Sequence, residues 1–241
     1  VTLKENAAIR LGMECVTYHL VEDVSQQRVI ELVQKLNADE SVHGILVQMP
    51  LPDSMDTKTV LDAIDPEKDI DGLHFCNAGK LLNGEPAVIA CTPRAVIRIL
   101  DETGIDIMSK HTVVVGKSVL VGRPIAICLL NRNATVSVCH TKTQNLGDIT
   151  KNADILIVAA GSAGLIKADM VKDGAVVIDI GQTNIDGKLY GDVDFENVSK
   201  KASYITPVPG GVGPMTIAML INNVIKATKQ QSKTSSNKIE K

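Results

Sequence analysis

Apolar positions along this chain switch between two periods. Residues 3–11 (LKENAAIRL) repeat at helical spacing with Gly12 as a C-terminal stop, whereas Met13 to Leu20 reads as a strand. Helical spacing returns over 24–39 (VSQQRVIELVQKLNAD), and 42–52 (VHGILVQMPLP) reads as a buried strand ended by Pro50 and Pro52, so the order is β-α-β. From Ser54 a helix over 57–64 (TKTVLDAI) leads into the polar loop 65–75 (DPEKDIDGLHF). A further helix begins in 91–104 (CTPRAVIRILDETG), with Thr92 as its cap and Pro93 in its first turn.

Beyond a domain boundary placed near Ala90, five apolar runs follow: HTVVVG, TVSVCH, DILIVAAG, AVVIDIG and SYITPV. They recur at intervals of roughly 20 residues with helices or turns between most of them, the pattern of a doubly wound parallel sheet in an α/β protein. After the glycine-rich loop at Pro209–Pro214, the stretch 215–229 (MTIAMLINNVIKATK) forms an amphipathic helix that the second domain does not need and that is expected to pack back on the first. Residues 230–241 are polar and aperiodic, and read as a disordered tail.

One stretch, 113–124 (VVVGKSVLVGRP), joins a β-branched strand to a glycine turn and then to the apolar helix PIAICLLN. Gly116 can take backbone angles closed to other residues, and a helix N-terminus offers N–H groups and a positive dipole end to an anion. The spacing is G-x-S-x-x-x-G rather than the dinucleotide fingerprint G-x-G-x-x-G, so the motif alone does not separate a phosphate loop from an ordinary strand-to-helix turn.

Composition narrows the classes. At 241 residues, 44% hydrophobic and 22% charged, the chain can bury a full core, and no apolar run reaches the roughly 18 residues of a membrane span. A net charge of −3 and only 2% aromatic residues leave neither a basic face nor stacking platforms, so nucleic acid is not expected as a partner. The five cysteines, Cys15, Cys76, Cys91, Cys128 and Cys139, are scattered and lack C-x-x-C spacing, which argues against a disulfide framework or a zinc site and fits a reducing compartment.

Several other chemistries fail on spacing. A calcium loop started at Glu67, with Gly72 sixth, places Ala78 where a bidentate glutamate belongs. The string PGGVGP lacks the Lys-Ser/Thr of a triphosphate cradle, and Ser118 lacks the G-x-S-x-G frame of a hydrolase nucleophile. His74 and His140 have no second ligand at metal-like spacing, so no metal is expected.

Taken together, VQMPLP, PEKDIDG, CTP, VGKSVLVGRP, TVSVCHTKT, GDVDF and TPVPGGVGPMT resemble the bifunctional methylenetetrahydrofolate dehydrogenase/cyclohydrolase family, from about Lys4 to the helix after Thr216. The resemblance implies a folate-side α/β domain, a Rossmann-like dinucleotide domain, a cleft with folate between them, and a homodimer in cytoplasm or mitochondrion. It also implies oxidation of 5,10-methylenetetrahydrofolate by hydride transfer, then hydrolysis of the methenyl product to 10-formyltetrahydrofolate. Lys4 falls at the family's catalytic lysine, Gln48 at its lysine-orienting glutamine and Asp71 at its folate-anchoring aspartate. Gly116, Lys117, Ser118, Thr141 and Gln182 fall at cofactor contacts. Val47, Gln48, Met49 and Asp71, with Pro209, Gly210, Gly211, Val212 and Gly213, fall at the folate side.

Lys117 stands where arginine is usual, Thr141 where serine is usual and Met49 where leucine is common. NADP is expected over NAD, because TVSVCHTKT offers Thr141 and Lys142 after the second strand and no carboxylate to hold a ribose 2′-hydroxyl. The family's first strand and a folate-packing tyrosine would precede Val1; the chain as written is accordingly expected to bind NADP through His111–Val208 and to be weak in both reactions. The competing readings are a non-catalytic folate- or dinucleotide-binding relative, and an NAD-dependent dehydrogenase with little cyclohydrolase activity.

Overall fold

The computed structural model describes residues 2–85 and 87–239. The chain divides into two compact units, one comprising Val1–Cys91 with Ile217–Lys241 and the other Thr92–Thr216.

The first unit holds helices α1 (Thr2–Arg10), α2 (Gln26–Ala38), α3 (Thr57–Asp62) and α4 (Phe75–Leu82). Each of the last three begins at a side chain that accepts a first-turn N–H: Ser25 from Arg28, Asp56 from Lys58 and His74 Nδ1 from Cys76. Such caps stabilise a helix by about 1 kcal/mol. The C-terminal end of α2 is closed by Lys68, a buried ammonium that donates to the carbonyls of Leu36, Asn37 and Asp39, where the negative end of the helix dipole favours a cation. Val33, Ile45, Leu61 and Ile64 form one apolar cluster, and Val29, Met55 and Val60 another.

The strands expected over Met13–Leu20 and 42–52 do not form a sheet. Ile45 makes a single parallel bridge with Asp69 through its N–H to Lys68 O at 2.7 Å, and residues 13–21 lie in neither helix nor strand, with Val16, Tyr18, Leu20 and Val21 exposed. Apolar content suits a segment to a sheet, but a strand exists only through hydrogen bonds to a neighbour.

The second unit begins in α5 (Cys91–Glu102), where Thr92 lies inside the helix rather than capping it. Its centre is a parallel sheet of β1 (His111–Val115), β2 (Thr135–Cys139), β3 (Ile155–Val158), β4 (Val176–Asp179) and a fifth, last strand (Tyr204–Ile205). Helices α6 (Gly122–Leu130), α7 (Leu146–Thr150) and α8 (Phe195–Val198) lie in the connections. All five apolar runs thus become strands. A hairpin not anticipated from the pattern, β5 (Thr183–Ile185) with β6 (Lys188–Tyr190), turns at Asp186 and Gly187, both at positive φ, which makes the last sheet strand β7. The Asp-Gly pair was the available signal.

The sheet order is β2-β1-β3-β4-β7, all parallel, with β3 and β4 buried along their length and β1 buried beyond His111. Strand order reverses between β1 and β3, the place where doubly wound sheets open a crevice at their carboxyl ends. The final helix, α9 (Val212–Ile239), starts in the second unit and belongs to the first from Ile217. Where a disordered tail was expected over 230–241, the helix continues to Ile239; Glu240 and Lys241 lie outside the described residues. Gln231 explains part of this, because its amide donates to His43 O at 2.8 Å and Glu67 O at 3.1 Å.

Candidate functional site

In the first unit, α1 carries Lys4, and the irregular segment after Ile45 carries Gln48. Lys4 Nζ donates to Gln48 Oε1 at 3.3 Å, and Gln48 Nε2 donates to Met49 O at 2.7 Å. The second bond fixes which end of the amide faces Lys4, so the lysine meets an uncharged acceptor. Asp71 follows the Ile45–Asp69 bridge. Burial raises its carboxyl above the ordinary carboxylate range, opposed by a hydrogen bond from the Cys91 thiol and by the charge of Lys4. Burial, reinforced by the Asp71 charge, pushes the Cys91 thiol up as well, so it remains a protonated donor. Lys4, Gln48 and Asp71, distant in sequence, thus form one electrostatically linked group. Val47 instead packs its side chain among the apolar clusters around Val33 and Val29.

The loop bearing Asp71 is shaped by Asp69. This buried carboxylate accepts N–H groups from Gly72 and His74 and the Asn77 amide, all at 2.9 Å. Its acceptor oxygens are therefore occupied within the loop and α4. His74 accepts from Cys76 N at Nδ1, which leaves Nε2–H to donate to Asp62 O at 3.2 Å; its role is structural. Gly72 has φ +71, and a Cβ there would lie 2.6 Å from Ala90 N.

In the second unit, Gly116 ends β1 at φ +130, and a Cβ on it would lie 2.3 Å from Ala159 O at the end of β3. A Cβ on Gly122 would meet Gly116 O at 2.0 Å. The G-x-S-x-x-x-G spacing therefore records two backbone contacts that only glycine allows. The first turn of α6 is less open than expected: Ser118 Oγ accepts from Val121 N and Gly122 N at 3.2 and 3.3 Å, and Ser118 O accepts from Arg123 N. Lys117 and Ser118 are exposed in this loop, and Thr141 and Lys142 are exposed just after β2.

Gln182, exposed after β4, lines a small cleft with Pro207–Gly213, and a Cβ on Gly213 would lie 3.1 Å from its Nε2. Gly210 has φ +108, and a Cβ on Gly211 would lie 2.5 Å from Pro207 O.

Two groups escaped the sequence reading although GDVDF was noticed. Asp179 and Asp192, both buried, hold the loops at these strand ends. Asp192 accepts N–H groups from Ala160, Gly161 and Ser162 at 2.6, 2.8 and 2.7 Å, and Asp179 accepts from Gly181, Asp192 and Val193.

Residues 90–232 match the tetrahydrofolate dehydrogenase/cyclohydrolase NAD(P)-binding domain, and residues 1–71 match the catalytic domain of the same description. The chain belongs to the tetrahydrofolate dehydrogenase/cyclohydrolase family. It is accordingly an enzyme of tetrahydrofolate one-carbon chemistry. The bifunctional protein FolD of Campylobacter concisus is 53% identical over 230 residues, 95% of this chain and 81% of that one. The crystal structure of the FolD methylenetetrahydrofolate dehydrogenase/cyclohydrolase from Campylobacter jejuni superposes with a TM-score of 0.94 at 49% identity, covering 95% of this chain and 82% of the other. The Trypanosoma brucei family enzyme, solved with NADP and an inhibitor, gives 0.92 at 40% identity over 96% and 82%. Among the described residues no helix is long and apolar enough to cross a membrane.

Proposed function

We propose that this chain oxidises 5,10-methylenetetrahydrofolate with NADP and hydrolyses the methenyl product to 10-formyltetrahydrofolate, with Lys4, Gln48 and Asp71 as its folate-side groups. The observation that carries the reading is the linkage of those three side chains, in which an amide orients an ammonium whose charge is felt by a half-buried carboxylate.

NADP, when bound, accepts a hydride from the folate's bridging carbon. The cation left behind is stabilised by its two flanking nitrogens, so no protein base is required at that stage. Water attack does require a proton to be taken up and returned, and Lys4 Nζ, aimed by Gln48, is placed to hold it. Asp71, an acceptor when ionised, suits the N–H donors of a pterin. In the second unit, the Gly116 turn admits close backbone approach. Lys117, Thr141 and Lys142 supply cations and a hydroxyl, with no carboxylate between His140 and Thr143, which fits a 2′-phosphate. A lysine at 117 offers a point charge without arginine's bidentate fork. Gln182 and Pro209–Gly213 are proposed cofactor and folate contacts, and the assembly is proposed to be a homodimer.

The test is Lys4→Ala in the full-length protein. Methenyltetrahydrofolate hydrolysis, followed by absorbance, is expected to fall at least about a hundredfold. NADP affinity by calorimetry should stay unchanged. Hydrolysis near the parental rate overturns the assignment.

A further inference from the structure

Asn223 lies within α9 and is enclosed, 1% exposed. Its Nδ2 donates to Ile70 O at 3.0 Å and Ile89 O at 3.1 Å, with Cys91 Sγ 3.7 Å away. The two carbonyls belong to different segments: Ile70 immediately precedes Asp71, and Ile89 lies two residues before Cys91. An amide carries two hydrogens in one plane, so a single side chain can tie both segments. We propose that Asn223 is a positioning residue for folate binding, fixing the backbone from which Asp71 projects.

Three contacts support this clamp. Gly72 packs its backbone against Val88–Ala90 so closely that a Cβ would fall within 3 Å of it. Asp69 holds the same turn from the other side through Gly72 N and His74 N. The Cys91 thiol donates to Ile70 O at 3.6 Å, from the segment that Ile89 precedes. Asp71 therefore projects from a turn held by Asp69 on one side and by Asn223 and Cys91 on the other. An aspartate at 223 would turn acceptors toward two carbonyls, and an alanine would leave both carbonyls without this donor.

The inference rests on Asp71 as the folate-anchoring group. The experiment compares Asn223→Ala, Asn223→Gln, Asp71→Ala and the Asp71→Ala/Asn223→Ala double variant in the full-length protein. KM and kcat/KM for methenyltetrahydrofolate hydrolysis are read beside NADP affinity and Tm. Asn223→Ala is expected to raise KM about tenfold or more with a smaller change in kcat, since displacement of about 1 Å in a binding group is costly. NADP affinity should hold, Asn223→Gln should recover part of the loss, and the double variant should be little worse than Asp71→Ala alone. A parental KM in Asn223→Ala, or full additivity in the double variant, overturns the inference. If Asp71→Ala leaves KM unchanged, the anchoring role fails and this inference with it. If Asp71→Ala raises KM and Asn223→Ala does not, the clamp alone is wrong. Should Asn223→Ala fail to fold, Asn223→Gln and its double with Asp71→Ala carry the same comparison.

Discussion

At the scale of single residues, the proposed folate-side group is costly to maintain. Asp71 is desolvated, and its raised carboxyl means that the folded state resists its ionisation more than the unfolded chain does. The sign follows from linkage. Below the unfolded carboxyl value the residue is neutral in both states and imposes no penalty. As pH rises, the unfolded chain ionises first, so stability falls until the folded carboxyl has also ionised, and the penalty is constant above that. Asp71→Asn is therefore expected to raise Tm at pH 7 relative to the parent, with the difference shrinking as pH falls through the acid range, while folate turnover collapses. Melting curves from pH 4 to pH 8 beside an activity assay check this; a variant that melts lower than the parent at pH 7 contradicts it. Sites held for function commonly trade stability in this way.

At the scale of elements, the carboxyl ends of β3 and β4 are built by buried aspartates rather than by loop propensity. Asp192 gathers three consecutive N–H groups from Ala160–Ser162, and its own N–H donates to Asp179 at 3.0 Å. Replacing one acceptor oxygen by an NH2 group sets donor against donor in a site with no room to rearrange: a Cβ on Gly181 would lie 2.4 Å from Asp192 Oδ1. Asp192→Asn should cost about 2–4 kcal/mol of stability, since hydrogen bonds to a charged group are worth roughly 1.5–3 kcal/mol each and a stranded donor adds to the loss. It should also weaken NADP binding, because the loop beside Gly116 loses its support. Urea denaturation and calorimetry measure the two effects, and an unaltered midpoint contradicts the expectation.

At the scale of the whole molecule, each unit buries its own apolar side chains, the first in two clusters, around Val33 and around Val60, and the second around Val113, Leu156 and Val177. If the dinucleotide site is the crevice at the β1/β3 switch point, its ligand should be felt first within the second unit. Titrated with NADP and NAD side by side, hydrogen exchange is expected to slow in peptides covering Gly116–Gly122 and His140–Thr143, at lower NADP than NAD. Peptides of α2 should be unchanged. Equal protection by NAD, or protection confined to α2, contradicts the cofactor assignment.

What the sequence by itself determined is what local chemistry decides. Five β-branched runs became the five strands of a parallel sheet, and the three central ones, β1, β3 and β4, carry the continuous apolar side chains that burial on both faces needs. The glycines at 116 and 122 were legible because any other residue would bring a Cβ to only 2.3 or 2.0 Å from a carbonyl oxygen. Lys4, Gln48 and Asp71 were legible only as members of a familiar string. Their meeting, and the clamp by Asn223 from 153 residues away, depended on which distant backbones came together. The same holds for the misread elements. The apolar content of Met13–Leu20 and 42–52 suggested strands but could not supply the neighbouring backbone a strand requires, and polarity at 230–239 hid a helix that Gln231 ties to His43 and Glu67. Composition and period act within a few residues of themselves, whereas hydrogen-bond partners across the fold are chosen only when the chain has packed.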